Sequence, residues 1–99
     1  MLIIVEAWME GLDNIVEKLN KGMAKEAIEE LTTIIAQSET PSDTTYYILG
    51  NAYRKIGDWQ HALDNYLQAI AINPDSPAKE AYTMAMDILN FYNKDMFNQ

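Results

Sequence analysis

The chain holds one histidine, His61, and no cysteine. Imidazole chemistry therefore has a single seat, and thiolate chemistry has none. A nucleophilic triad needs a nucleophile, a base and an orienting group held together, and no Ser–His–Asp arrangement stands out around His61. His61 precedes Ala62 and lies off the apolar stripe of its segment, which reads as a solvated surface position. Glu26, Glu29 and Glu30 share one side of a segment and have the chemistry of a divalent-ion site. One helix supplies too few ligands, however, and the Glu-x-x-His pairs of dinuclear bundles are missing; a solvated acidic face accounts for them. No glycine-rich loop is present to cradle a phosphate. Asp58, directly after Gly57, reads as a helix cap. The expectation is a chain with no catalytic residues, no metal and no cofactor. What remains for chemistry is recognition: a small cationic spot at Arg54 and Lys55, and Tyr47, which sits beside Tyr46 and cannot share its side.

Charge narrows the partners. Seven Lys and Arg against 15 Asp and Glu give a net charge of −8. Phosphate backbones and anionic membranes both ask for a concentrated cationic face, so neither nucleic acid nor membrane is expected as a partner. Leu2–Val5 is apolar but is interrupted by Glu6, too short for a secretory signal, and no window approaches the roughly 20 apolar residues of a spanning helix. These features predict a soluble, cytoplasmic protein. Its length of 99 residues suits one domain.

Five helices must position these groups. The first is expected over Leu2–Asn20, with Ile4, Trp8, Leu12, Ile15 and Leu19 at spacings of three and four; Gly11 interrupts it or marks a close contact. Lys21-Gly22 closes it in the manner of a glycine just past the last turn. The second runs over Ala24–Gln37, with Ala27, Ile28, Leu31, Ile34 and Ile35 as its stripe. Ser38–Ser42 is a loop, and Asp43 and Ser42 compete to cap the next helix. The third spans Thr44–Lys55, with Tyr46, Leu49, Gly50 and Tyr53 on one side, and Gly57-Asp58 turns the chain. The fourth spans Trp59–Ile72, striped by Trp59, Ala62, Leu63, Tyr66, Ala69 and Ile70, and stops at Asn73-Pro74. Pro77 suits the first position of a fifth helix, over about Ala78–Tyr92 or slightly beyond, striped by Ala81, Met84, Ala85, Ile88, Leu89 and Tyr92. Tyr82, Met86 and Phe91 lie off that stripe. The tail Asn93–Gln99 frays unless Met96 and Phe97 fold back. Loops of a few residues make sequential helices antiparallel neighbours.

The architecture follows from a repeat. Gly22-x4-Ala27-x3-Leu31-x2-Ile34-Ile35 matches Gly57-x4-Ala62-x3-Tyr66-x2-Ala69-Ile70 step for step, 35 residues later. A fixed offset of this size marks a stack of helix pairs, each burying its apolar side on the next. The second unit carries more: Tyr46-x2-Leu49-Gly50-x2-Tyr53, then Gly57, Ala62-x3-Tyr66, Ala69 and Pro74. This resembles the tetratricopeptide repeat, Trp-x2-Leu-Gly-x2-Tyr, Ala-x3-Phe and Pro, over about Asp43–Ser76. The first unit matches only in its second half; its first helix lacks Leu-Gly-x2-Tyr and has Asn14, Ile15 and Lys18 at those steps. Terminal repeats are commonly atypical.

The resemblance implies an all-α fold, a right-handed superhelical stack of antiparallel helix pairs with five helices. It divides a single domain, 1–99, into repeat 1 (about 2–38), repeat 2 (about 43–76) and a capping helix (about 77–93). It also implies a non-catalytic scaffold that binds a peptide or protein segment in a concave groove lined by the first helix of each pair. In the complete repeat that helix offers Thr44, Tyr47, Ile48, Asn51, Arg54 and Lys55; in the first unit, Met9, Leu12, Asp13, Val16 and Asn20. Asn51 matches an Asn with which some family members grip a partner's C-terminal carboxylate. The cations of that grip are absent here, so such a ligand is not expected. Arg54 and Lys55 fit two readings, orientation of an acidic peptide and plain end-of-helix cations beside the dipole. Tyr47 is the natural anchor. An alternative is a structural domain that homodimerises through its apolar terminal helices, Leu2, Ile3, Val5 and Met9 at one end and Tyr82, Met86 and Phe91 at the other, with no separate ligand. A third reading is an acidic regulatory subunit that contacts a basic protein.

Overall fold

A computed structural model describes residues 12–92. The beginning of the first helix, Met9 and the tail from Asn93 lie outside the described residues. Within them the chain forms α1 (helical over 12–20), α2 (Ala24–Gln37), α3 (Asp43–Lys55), α4 (Trp59–Ile72) and α5 (Ala78–Tyr92).

The turns between paired helices follow from two glycines. Gly22 and Gly57 adopt φ of +83° and +81°, the left-handed region in which an added Cβ is strained. After α1 the Met23 N–H donates to the Lys18 carbonyl at 2.8 Å and the Gly22 N–H to Leu19 at 3.1 Å. After α3 the Asp58 N–H donates to Tyr53 at 2.9 Å and the Gly57 N–H to Arg54 at 3.0 Å. These are two copies of one Schellman turn, which satisfies the last carbonyls and sends the chain back along the helix it has left. The contacts between α3 and α4 confirm the direction. Asp43 meets Asn73, Asn51 meets Tyr66, and Tyr53 stacks on His61. Moving forward on α3 means moving backward on α4, so the two are antiparallel.

The other ends are set by caps. Ser42 accepts the Thr45 N–H at 3.1 Å and so begins α3 at Asp43, one residue earlier than the sequence suggests. Asp58 accepts the His61 N–H at 3.2 Å and begins α4. Asn73 ends α4, donates through Nδ2 to Asp43 at 3.2 Å and accepts the Asp75 N–H, which pins the loop before α5 to the start of α3. Buried Ser76 then accepts the Ala78 N–H at 3.1 Å. The other described bounds agree with the spacing.

Among the described residues the fold is all-α, five helices with consecutive ones packed together: α2 on α3, α3 on α4, and α4 on α5. One core holds Leu12, Ile15 and Leu19 of α1, Ala24, Ala27 and Leu31 of α2, and Ile48, Leu49 and Ala52 of α3. A second holds Ala62, Tyr66 and Ala69 of α4 with Ala78, Ala81 and Ala85 of α5. Tyr47 and Tyr53 pack against both, so α3 joins the two.

The 35-residue offset survives as geometry. α2 and α4 begin and end at equivalent positions, and Ala78 of α5 stands where Asp43 of α3 does. The crossings are solved in opposite ways. In the second pair Gly50 lets α4 come close: a Cβ there would lie 2.5 Å from Tyr66 Cε1 and 3.2 Å from the Ala62 carbonyl oxygen. In the first pair Ile15 stands in place of Gly50 and Leu31 in place of Tyr66, both buried. Two aliphatic side chains thus replace one small and one large residue, a swap that conserves volume in a close-packed interior. Likewise Tyr53 and His61, with ring centroids 4.9 Å apart, correspond to Lys18 and Glu26. Lys18 pairs with Glu30, and that hydrogen bond, aided by the charges of Glu30 and Glu26, holds Lys18 above the ordinary lysine range despite some desolvation.

Two sequence expectations need correcting. Met84, placed on the α5 stripe, is 56% exposed. Tyr82, placed off it, packs against the second core. The reason is that α5 meets α4 through Ala78, Ala81 and Ala85, small residues that bring the helix close along a narrow line. The neighbouring Tyr82, not Met84, falls beside it.

Candidate functional site

Thr44, Tyr47, Asn51 and Arg54 recur at spacings of three and four on α3, which places them in one row. Thr44 and the adjacent Lys55 are exposed; Tyr47, Asn51 and Arg54 are half-buried. Ile48 departs from the expectation. It is only 7% exposed and belongs to the first core. α3 is enclosed between α2 and α4, so it buries two faces rather than one, and Ile48 lies on the face toward α2. Leu12 of α1 is buried in the same core, whereas Asp13, Val16 and Asn20 are exposed.

Behind the row stands Tyr66 of α4, with no exposed surface. Gly50 leaves room for its ring against the α3 backbone. The ring lies 6.2 Å from that of Tyr47, tilted by 38°, and its hydroxyl passes α3 to donate to Asn51 Oδ1 at 2.5 Å. Burial raises the Tyr66 pKa above the ordinary tyrosine range, while the nearby Arg54 charge pulls it down in part and Tyr47 adds to the rise. The phenol therefore stays protonated at neutral pH and acts as a donor. No buried side-chain nitrogen or oxygen among the described residues lacks a partner, as expected where a lone polar group would be costly.

Tyr66 carries part of this arrangement although its sequence position suggests packing alone. The signal that could have found it is its hydroxyl, since the family pattern has Phe there. Tyr82 and Met86 of α5, both half-buried, are singled out by the sequence only as part of an apolar end, not of this row. They stand 35 residues after Tyr47 and Asn51, and Tyr82 packs against the same core as Tyr47. Carrying the offset into α5 finds them. The row can therefore offer an aromatic anchor, amide and guanidinium hydrogen bonds, and local positive charge on an acidic chain.

A well-formed hollow lies elsewhere. It is an open recess of about 870 Å³ between α1 and α2, lined by Ile15, Lys18, Met23, Glu30 and Ile34 among others. The Lys18–Glu30 and Lys21–Glu17 pairs line its wall. His61 is exposed and tied to Asp58 Oδ2 through Nδ1 at 2.8 Å. Hydrogen bonds from the His61 side chain and backbone, against some desolvation, hold the Asp58 carboxyl below the ordinary range. Asp58 and His61 thus serve the start of α4. Among the described residues no group of three or more His, Asp or Glu side chains is placed to hold a metal ion, and no helix is long and apolar enough to cross a membrane.

Residues 44–76 match the family described as tetratricopeptide repeat. The chain is similar to Bacteroides fragilis protein BF1650, whose structure was solved by NMR in solution: 53% identity, 89% of each chain covered, TM-score 0.79. No curated protein matches the chain.

Proposed function

From a chain that belongs to one family with Bacteroides fragilis BF1650 and carries a tetratricopeptide repeat in its middle third, we propose a small scaffold module that holds an extended peptide or protein segment along α3. Tetratricopeptide repeats serve protein–protein interaction and are generally non-catalytic. On this reading the chain is one domain, two repeats of about 2–38 and 43–76 sealed by a capping helix of about 77–93. It works in the cytoplasm and does no chemistry of its own. Tyr47 is the anchor, Asn51 and Arg54 are the hydrogen-bonding groups, and Thr44 and Lys55 are the rim. Ile48 holds the row from beneath. Arg54 and Lys55 favour an acidic segment, because they stand together on a chain of net charge −8.

The observation that carries this reading is the half-buried Tyr47, fixed against two cores, with Asn51 and Arg54 beside it in one row. A rigid aromatic with polar neighbours is the composition of an interface hot spot. The test is selection of 12-residue peptides on the wild-type protein from a random display library. Peptides that lose at least tenfold in affinity on Tyr47→Ala or Arg54→Glu, and keep it on Leu67→Ser of the outer α4 surface, support the reading. Failure to select any such peptide removes it.

Exposed Met84 on α5 favours a second reading, pairing of two chains through that helix. A molar mass that doubles with concentration in sedimentation, and stays single for Met84→Glu, is its signature.

A further inference from the structure

We infer that the outward line of α5 docks a basic amphipathic helix of a partner protein, on a surface separate from the α3 row. Glu80, Met84 and Asp87 stand at spacings of four and three, which puts them in one line along the helix. All three are exposed, Met84 by 56%. Ile88, half-buried and four residues after Met84, extends the apolar centre of the line. Neither Glu80 nor Asp87 is paired with a cation among the described residues. α5 turns its alanine side, Ala78, Ala81 and Ala85, to α4, and this line is left on the open side.

The chemistry of the occupant follows from the line. Carboxylates alone would be a solvated face, as on α2, where Glu26, Glu29 and Thr33 stand in a similar line with no large apolar side chain among them. On α5 an exposed methionine lies between the two charges. Methionine is flexible and polarisable, and suits a contact surface that adapts to its partner. Glu80 and Asp87 are separated by about 10 Å along the helix. A partner helix with Lys or Arg seven residues apart, and an apolar residue between them, matches both the carboxylates and the methionine. The net charge of −8 draws such a helix in. A second copy of this chain is a poorer match, because a symmetric pairing of α5 sets the same acidic line against its own copy. An acidic segment, the ligand proposed for α3, is repelled here, so the two surfaces take different partners.

The probe is a synthetic helix of Leu and Lys, with Leu at spacings of three and four and a length of about 14 residues or four turns. It is titrated into the full chain at low salt. Glu80→Gln with Asp87→Asn should weaken binding about three- to tenfold, and Met84→Ser by about the same factor. Glu26→Gln with Glu29→Gln makes the same change in net charge on α2 and should cost less than about twofold. In NMR spectra the Met84 ε-methyl and Ile88 methyl resonances should shift on peptide addition, while Glu26 and Glu29 stay unmoved. All these substitutions lie at exposed positions, and circular dichroism checks that each variant is folded. An equal loss from the α5 and α2 pairs means that net charge alone attracts the peptide, and overturns the inference. Absence of binding at low salt overturns it too, as does a dimer that forms through Met84 and excludes the peptide. The α3 reading stands or falls separately, on peptides that depend on Tyr47.

Discussion

Replacing Gly50 by alanine tests the close crossing on which the second helix pair depends. At an exposed helical site this change stabilises by about 1 kcal/mol, because glycine has more backbone freedom to lose. At Gly50 the new Cβ would lie 2.5 Å and 2.6 Å from Tyr66 Cε1 and Cδ1, and 3.2 Å from the Ala62 carbonyl oxygen. The ring belongs to a side chain with no exposed surface, so it cannot swing into solvent. Overpacking of this kind costs about 1–3 kcal/mol, which offsets the propensity gain and leaves a net loss of up to about 2 kcal/mol. With a urea m value of about 1 kcal/mol/M for a chain this small, the midpoint should fall by up to about 2 M. The first pair supplies the control, because it places Ile15 and Leu31 at the same two positions. In a Tyr66→Leu background the alanine at 50 should cost little or raise the midpoint. Urea unfolding followed by circular dichroism, in a four-variant cycle, reads both numbers. A higher midpoint for Gly50→Ala alone, or the same loss in both backgrounds, would refute the reasoning.

Gly22→Ala and Gly57→Ala should each cost about 1–2 kcal/mol through backbone strain alone, since no neighbouring group stands within 4 Å of the point a Cβ would occupy at either glycine. Asn at the same sites should cost less, read again as urea midpoints. Ser42→Ala removes the cap that accepts the Thr45 N–H and should cost about 1 kcal/mol, with Ser42→Asp close to wild type. Leu31→Ala, at a site with no exposed surface, should cost about 2–5 kcal/mol and broaden or abolish the thermal transition. The lowered Asp58 pKa means that its contribution is complete above the ordinary carboxylate range and is lost as pH falls through the lowered value. Asp58→Asn should therefore flatten that part of the acid limb of a stability–pH curve, measured from about pH 6 down to about pH 2.

Much of the fold was legible because its punctuation is chemical. Gly22, Gly57, Asn73-Pro74 and Pro77 each act locally, so the bounds of α2, α4 and α5 follow from their positions. The start of α3 was less legible because Ser42 and Asp43 are both competent caps, and only the Thr45 N–H decides between them. The row on α3 was legible as a spacing, but its depth was not. Ile48 looks free when α3 is read as a helix with one buried side, and is core once α2 is packed against it. Tyr66 and Asn51 lie 15 residues apart on different helices, and Lys18 and Glu30 lie 12 apart. No helical periodicity links such pairs; only the angle at which the helices cross does. Tyr82 was hidden for a related reason, since a stripe of alanines makes the helix approach closely and draws its neighbour into contact.

The central claim is that the α3 row, and not the outer surfaces of α2 and α4, is where a partner sits. Amide and side-chain chemical-shift mapping of the ¹⁵N-labelled protein, titrated with a library-selected peptide, addresses it most directly. Shifts concentrated on Tyr47, Asn51, Arg54, Tyr82 and Met86, with Leu67 and Ile72 unmoved, are the predicted result. Shifts centred on Leu67 and Ile72, or on the recess between α1 and α2, would contradict it.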